Sequence, residues 1–103
     1  MNHRVDEGGN VMEVVTFMRK DGVSAAAFAP LDQAVEQEHA ARQPGFVSRE
    51  SAWSADGERL VIVHWQSAKN ADTSMASFEK APAAAAFMSG IEASAMRMKR
   101  FEE

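Results

Sequence analysis

The chain has 103 residues, 46% of them apolar, and a formal charge of -4 at neutral pH, which is the length and apolar content of one domain with one core. Its 11 basic residues are scattered, so the clustered Lys and Arg that a phosphate backbone needs are missing and no nucleic-acid partner is expected. The absence of cysteine excludes disulfides, thiolate nucleophiles and thiolate metal sites, and no run approaches the roughly 18 apolar residues of a membrane span, so a cytoplasmic protein without a membrane partner is expected.

Residues 1–10, "MNHRVDEGGN", are polar, with two glycines and nothing to bury, and read as a flexible tail ahead of a single domain over 11–103. "VMEVVTFMRK" (11–20) is rich in β-branched and apolar residues on both alternating faces, the pattern of a strand covered on both sides. Asp21-Gly22 ends it. From Ser24 to Arg42 the period becomes helical, through Phe28, Leu31, Val35 and Glu38 or His39, with Ser24 as N-cap. Pro30 lacks the N–H that a helix interior uses, so the helix is expected either to kink there or to begin its regular part there. "QPG" at 43–45 stops it.

"FVSRESAW" (46–53) and "RLVIVHWQ" (59–66) flank "SADGE", so they read as a β-hairpin. If Asp56-Gly57 is a two-residue turn, Trp53 faces Leu60, Arg49 faces His64 and Ser48 faces Trp65. A second helix is expected from Ala68, with Ala71, Met75 and Phe78 on one face. Pro82 then opens a separate helical segment at its first position, carrying Phe87 and ending near Gly90. "ASAMRMKRFEE" alternates methionine with basic residues and reads as an edge strand whose Lys and Arg discourage further pairing.

The order β-α-β-β-α-β is the split βαβ, or ferredoxin-like, arrangement: an α+β subunit whose four-stranded antiparallel sheet carries both helices on one face. Strands one and three, the most apolar, belong in the middle. Met12, Val14, Met18, Leu60 and Ile62 alternate onto one side of the sheet, and Val15, Phe17, Val61 and Val63 onto the other. One apolar face is thus left without helices, and a bare face of that size signals a partner surface. Two such faces together would bury roughly 2,000 Å² or more, the range of obligate homodimers. A homodimer through the sheet face is therefore expected.

Several side chains are candidates for chemistry. His64 is a candidate general base because imidazole titrates near neutral pH, although Arg49, the cross-strand neighbour expected from the hairpin register, would disfavour its charged form. Glu13 and Glu50 sit on strand faces that should turn toward the helices, where a carboxylate lining an apolar cleft can act as an acid or base; the alternative is an ion pair with Arg19, Arg49 or Arg97 at the sheet margin. His3, His39 and His64 fall on separate elements without ligand spacing, so no metal site is expected. The seven methionines read mainly as core filler. No glycine-rich phosphate loop opens a helix, so no nucleotide cofactor is expected.

Taken in order, "VVTFMRKDGVSAAAF", "RQPGFVSRESAW" leading to "DGERLVIVHWQS", "HWQSAKNAD" and "APAAAAFMSGI" resemble the dimeric α/β-barrel proteins, and within them the antibiotic biosynthesis monooxygenases. The likeness covers residues 11–101. It implies a dimeric barrel and a cleft between sheet and helices that takes a small aromatic or polyketide-like ligand, one per subunit, without cofactor. By that resemblance Trp65 points into the cleft with Val61 and Val63, His64 points toward the dimer barrel, and Val15, Phe17, Phe78 and Phe87 complete the lining.

Oxygenating members that this chain resembles use a strand-three asparagine four residues before the tryptophan, with tyrosine and arginine nearby. Here that position is Val61, and the chain has no tyrosine. Haem-degrading members use a histidine on the second helix and an asparagine on strand one; residues 68–91 contain no histidine, and the strand-one position falls on Val15. Two readings follow: a cofactor-independent monooxygenase-like oxidoreductase whose pocket Trp65 shapes, with Glu13 or Glu50 handling the proton, or a non-catalytic small-molecule-binding or stress-associated dimer of the same fold.

Overall fold

A computed structural model describes residues 10–103 of the chain. His3, Gly8, Gly9 and most of the expected flexible tail lie outside the described residues. The Asn10 carbonyl accepts from the Glu103 N–H at 2.9 Å.

The elements are β1 (Val11–Arg19), α1 (Ala25–Glu38) with a following 3-10 turn (Ala40–Arg42), β2 (Phe46–Trp53), β3 (Glu58–Trp65), α2 (Ala68–Phe78), α3 (Pro82–Ser89) and β4 (Ile91–Glu102). The sheet is antiparallel in the order β2-β3-β1-β4. This is the ferredoxin-like α+β arrangement, with the two most apolar strands central and the basic β4 at an edge. No helix among the described residues is long and apolar enough to cross a membrane.

Local chemistry accounts for the boundaries. Ser24 caps α1 by accepting from the Ala27 N–H at 3.0 Å, and Ser67 caps α2 by accepting from the Asn70 N–H at 3.1 Å. Pro82 occupies the first turn of α3, where its missing N–H costs nothing. Pro30 neither starts α1 nor ends it, since the helix runs from Ala25 through it. The carbonyl deprived of its donor is that of Ala26, which is exposed and open to water.

The hairpin register differs from the two-residue-turn expectation by one residue. Gly57 takes φ +91°, its N–H bonds the Ser54 carbonyl, and the Ser54 N–H bonds the Glu58 carbonyl. The loop is therefore the three residues 55–57, a type I turn followed by a left-handed glycine. Trp53 pairs with Arg59, Arg49 with Val63 and Ser48 with His64, and an irregularity between Phe46 and Ser48 then brings Phe46 opposite Trp65. Because side chains alternate at period two, the one-residue slip sends Arg49 to the helix side and Glu50 to the open side.

One apolar cluster joins Val11, Phe17, Val61, Val63 and Trp65 of the sheet to Phe28 and Val35 of α1, Ala71 of α2 and Phe87 of α3. Phe17, Phe28 and Phe87 form its densest part, with ring centroids 5.4–5.6 Å apart in tilted and edge-on pairs. On the other side of the sheet Met12, Val14, Leu60 and Ile62 are only half-buried, and Phe101 is 42% exposed. Among the described residues no helix covers that face.

Candidate functional site

Between the sheet and the helices, beyond the Phe17–Phe28–Phe87 plug, lies a cavity of about 280 Å³. Val15, Phe17, Val61, Val63, Trp65, Phe78 and Phe87 all line it, and Met75, Met88, Met96 and Met98 add thioether walls. Val15 is only half-buried although it points toward the helices, because the cavity stands over it. Met96 arrives through an irregularity in the β1–β4 pairing: Thr16 pairs with Arg97 but Met18 with Glu92, which leaves residues 93–96 out of register. Its walls are mainly apolar, with a few polar groups at defined points, as in sites for small molecules.

Glu13 is one of those points. It is 5% exposed, accepts from Trp65 Nε1 at 3.0 Å through one oxygen and from Arg100 at 3.1 Å through the other. The strand register explains the contact: Val11 pairs with Trp65, so Glu13 is the diagonal neighbour of Trp65, and Arg100 stands directly opposite Glu13 on β4. Arg100 also reaches Asp72 at 2.9 Å. Glu13 thus has the ion pair that the sequence allowed, with a different arginine, and it fixes the indole ring across the cavity wall. An edge-on contact with Phe46 at 5.9 Å holds the other side of Trp65.

Glu50 and His64 are not part of this cavity. His64 Nδ1 and Nε2 sit 2.9 Å and 2.8 Å from carboxylate oxygens of Glu103 and Glu50 on the open face. Hydrogen bonds to Glu103 and then Glu50 raise the His64 pKa above its usual value. The expectation that Glu50 turns toward the helices, and that Arg49 lies beside His64, fails through the hairpin register described above.

Arg49 lies instead on the helix side, where it lines the cavity and bonds Asp32 at 2.6 Å and Glu36 at 3.2 Å. Asp32, itself buried in α1, takes Arg59 at 2.6 Å through its second oxygen. Arg59 also stacks 4.6 Å above the Trp53 ring. Sequence reading missed this buried network. A lone Asp on an amphipathic helix carries no mark of burial, and Arg49 faces it only in the register that Gly57 sets.

His39 is the second feature that sequence reading left unassigned. It lies one helical step past Val35 and is 5% exposed, with its ring edge-on to Phe78 at 5.6 Å, and it lines the cavity. Burial lowers its pKa, since the charged ring would lose hydration there. His39 Nε2 is 2.7 Å from Ser77 Oγ, Ser77 donates to Gln43 Oε1 at 3.1 Å, and Gln43 Nε2 donates to the His39 carbonyl at 3.2 Å. The helical spacing of His39 from Phe28 and Val35 was the available signal; the Ser77 and Gln43 partners had none.

No family model and no curated protein matches the chain in sequence. Its three-dimensional similarity to solved structures is extensive. SnoaB, a cofactor-independent oxygenase from Streptomyces nogalater, matches with a TM-score of 0.77 at 20% identity over 93% of this chain and 94% of that one. A provisionally named antibiotic biosynthesis monooxygenase from Caulobacter crescentus gives 0.75 at 18% over 94% and 92%. A conserved protein from Methanosarcina mazei gives 0.72 at 7% over 98% and 99%. At such identities the likeness shows the fold.

Proposed function

Starting from a subunit with the fold of the antibiotic biosynthesis monooxygenase-like proteins, we propose that the chain is a homodimer that binds one small aromatic or polyketide-like molecule per subunit on the helix side of its sheet, in the manner of a cofactor-independent oxygenase. The observation that carries this reading is the cavity of about 280 Å³, apolar over most of its wall and bordered by Glu13, Arg49 and His39. An apolar cavity of roughly 150 Å³ already accepts benzene, so this one has room for a fused two-ring compound. Trp65, fixed by Glu13, supplies a flat wall for such a ring.

The dimer follows from the opposite face. Half-buried Met12, Val14, Leu60 and Ile62, with exposed Phe101, form an apolar field that water covers poorly. A second copy presents the same field, and a two-fold pairing of the sheets covers both at once.

A second reading, a binder without chemistry, is favoured by one set of observations. Val61 stands in the cavity wall at the position where the resemblance to the oxygenating members calls for asparagine, and the chain has no tyrosine. Glu13 and Arg49 are each held by oppositely charged partners in the protein. The two readings separate on oxygen uptake. Titration with small quinols, followed by tryptophan fluorescence, is expected to saturate at one per chain, with the response lost in Trp65→Phe, where only Trp53 remains. Oxygen consumption by the bound quinol identifies the oxygenase, and binding without it identifies the binder. No response from any quinol would contradict both.

A further inference from the structure

The cavity has a polar contact point that the oxygenase-like reading does not use. His39, Ser77 and Gln43 form a closed ring of hydrogen bonds. Gln43 Nε2 is aimed at the His39 carbonyl, an acceptor, so its Oε1 must be the end that meets Ser77. Ser77 has one hydroxyl proton and two oxygen acceptors for it, Gln43 Oε1 at 3.1 Å and the Ser74 carbonyl at 3.3 Å. With that proton on either oxygen, His39 Nε2, 2.7 Å from Ser77 Oγ, is the protonated nitrogen, donating to Ser77. Nδ1 is left with a lone pair. Among the described residues no donor meets it, although the residue is 5% exposed and forms part of the cavity wall.

We propose that His39 Nδ1 is the hydrogen-bond acceptor of the cavity, so that the ligand is a small aromatic molecule carrying a hydroxyl group that donates to it. This inference rests on the cavity being a ligand site and goes further by assigning the group that selects among ligands. His39 is a positioning residue for that hydroxyl. The Ser77–Gln43 ring holds the imidazole in the accepting tautomer, and burial keeps it neutral. A carboxylate-bearing ligand has no proton to offer at neutral pH and would set its charge beside Glu13 and Glu79, which also line the cavity, while Arg49 in the same wall is already paired with Asp32 and Glu36. A neutral hydroxyl meets no such penalty.

The test compares 1-naphthol with naphthalene by calorimetric titration. Wild-type protein is expected to bind both, with naphthol about fivefold tighter, the margin of one net hydrogen bond. In His39→Phe the ratio of the two affinities is expected to fall to about one, whatever the change in naphthalene affinity itself. A preference that survives in His39→Phe would overturn the assignment while leaving the cavity reading intact. Failure of the wild type to bind either compound would overturn the cavity reading and the assignment with it. A second measurement needs no variant: ¹⁵N-histidine spectra of the wild type are expected to show His39 protonated at Nε2, with its Nδ1 resonance moving on addition of 1-naphthol and not of naphthalene. Protonation at Nδ1 would overturn the assignment.

Discussion

A histidine and a carboxylate–ring contact lie on each side of the sheet, His39 from the end of α1 on one and His64 from β3 on the other, and the surroundings give them opposite properties. On the helix side Trp65 donates to Glu13 inside the core, and His39 is stripped of water, which lowers its pKa. On the open side His64, next in sequence to Trp65, is held by Glu103 and Glu50, which raise its pKa. Alternation along β3 is enough to separate a fixed structural contact from a titratable one. The same residue types therefore say little until their face is known.

The comparison can be broken most strongly at Trp65 and His64. Trp65→Ala removes a side chain from the core and is expected to cost about 4 kcal/mol, against less than about 1 kcal/mol for His64→Ala, whose partners are partly exposed; urea unfolding of the two variants measures the gap. Ile62→Lys places a charge in the bare face. It is expected to weaken self-association by at least about a hundredfold, roughly 3 kcal/mol, with the fold of each subunit kept, as sedimentation and circular dichroism would report. Glu13→Gln leaves the Arg100 guanidinium and the buried indole N–H with poorer acceptors and is expected to cost about 1–3 kcal/mol, where Glu50→Gln on the open face costs less than about 1 kcal/mol.

The smallest effect is a difference of sign with pH. His64 has a raised pKa in the folded chain, so its stabilisation is fully present below the unfolded value of about 6.5 and is lost as pH rises through the higher folded value. His39 has a lowered folded pKa, so the unfolded chain takes up its proton first and stability falls as pH drops from about 6.5 toward the folded value. Stability curves of His64→Gln and His39→Gln between pH 5 and 8 are expected to change slope in opposite directions. Equal changes would mean that the two faces do not differ as described.

Most of the fold was legible because it rests on period and punctuation. Apolar runs named β1 and β3 and alternation assigned their side chains to faces, Ser24 and Pro82 marked helix starts, and the apolar rank of the strands placed two of them centrally. The cavity wall followed from the same alternation, once the resemblance supplied the direction of Trp65. What escaped was set by single backbone choices and by distant partners. One left-handed glycine lengthened the hairpin loop by a residue, which exchanged the faces of Arg49 and Glu50. Of the two expectations for Pro30, a helix that begins its regular part there is set aside, since α1 runs from Ala25 through it. The Asp32–Arg49–Arg59 network and the His39–Ser77–Gln43 ring join residues on different elements, and no local pattern announces such meetings.

The account stands on the helix-side cavity being a ligand site, and calorimetric titration of naphthalene into wild type and Val15→Trp tests it most directly. Val15 borders the open space, so the larger ring would fill that space from the sheet side. One molecule bound per wild-type chain, with binding abolished in a folded Val15→Trp, is the result expected. Equal binding by both proteins would place the ligand elsewhere and contradict the account.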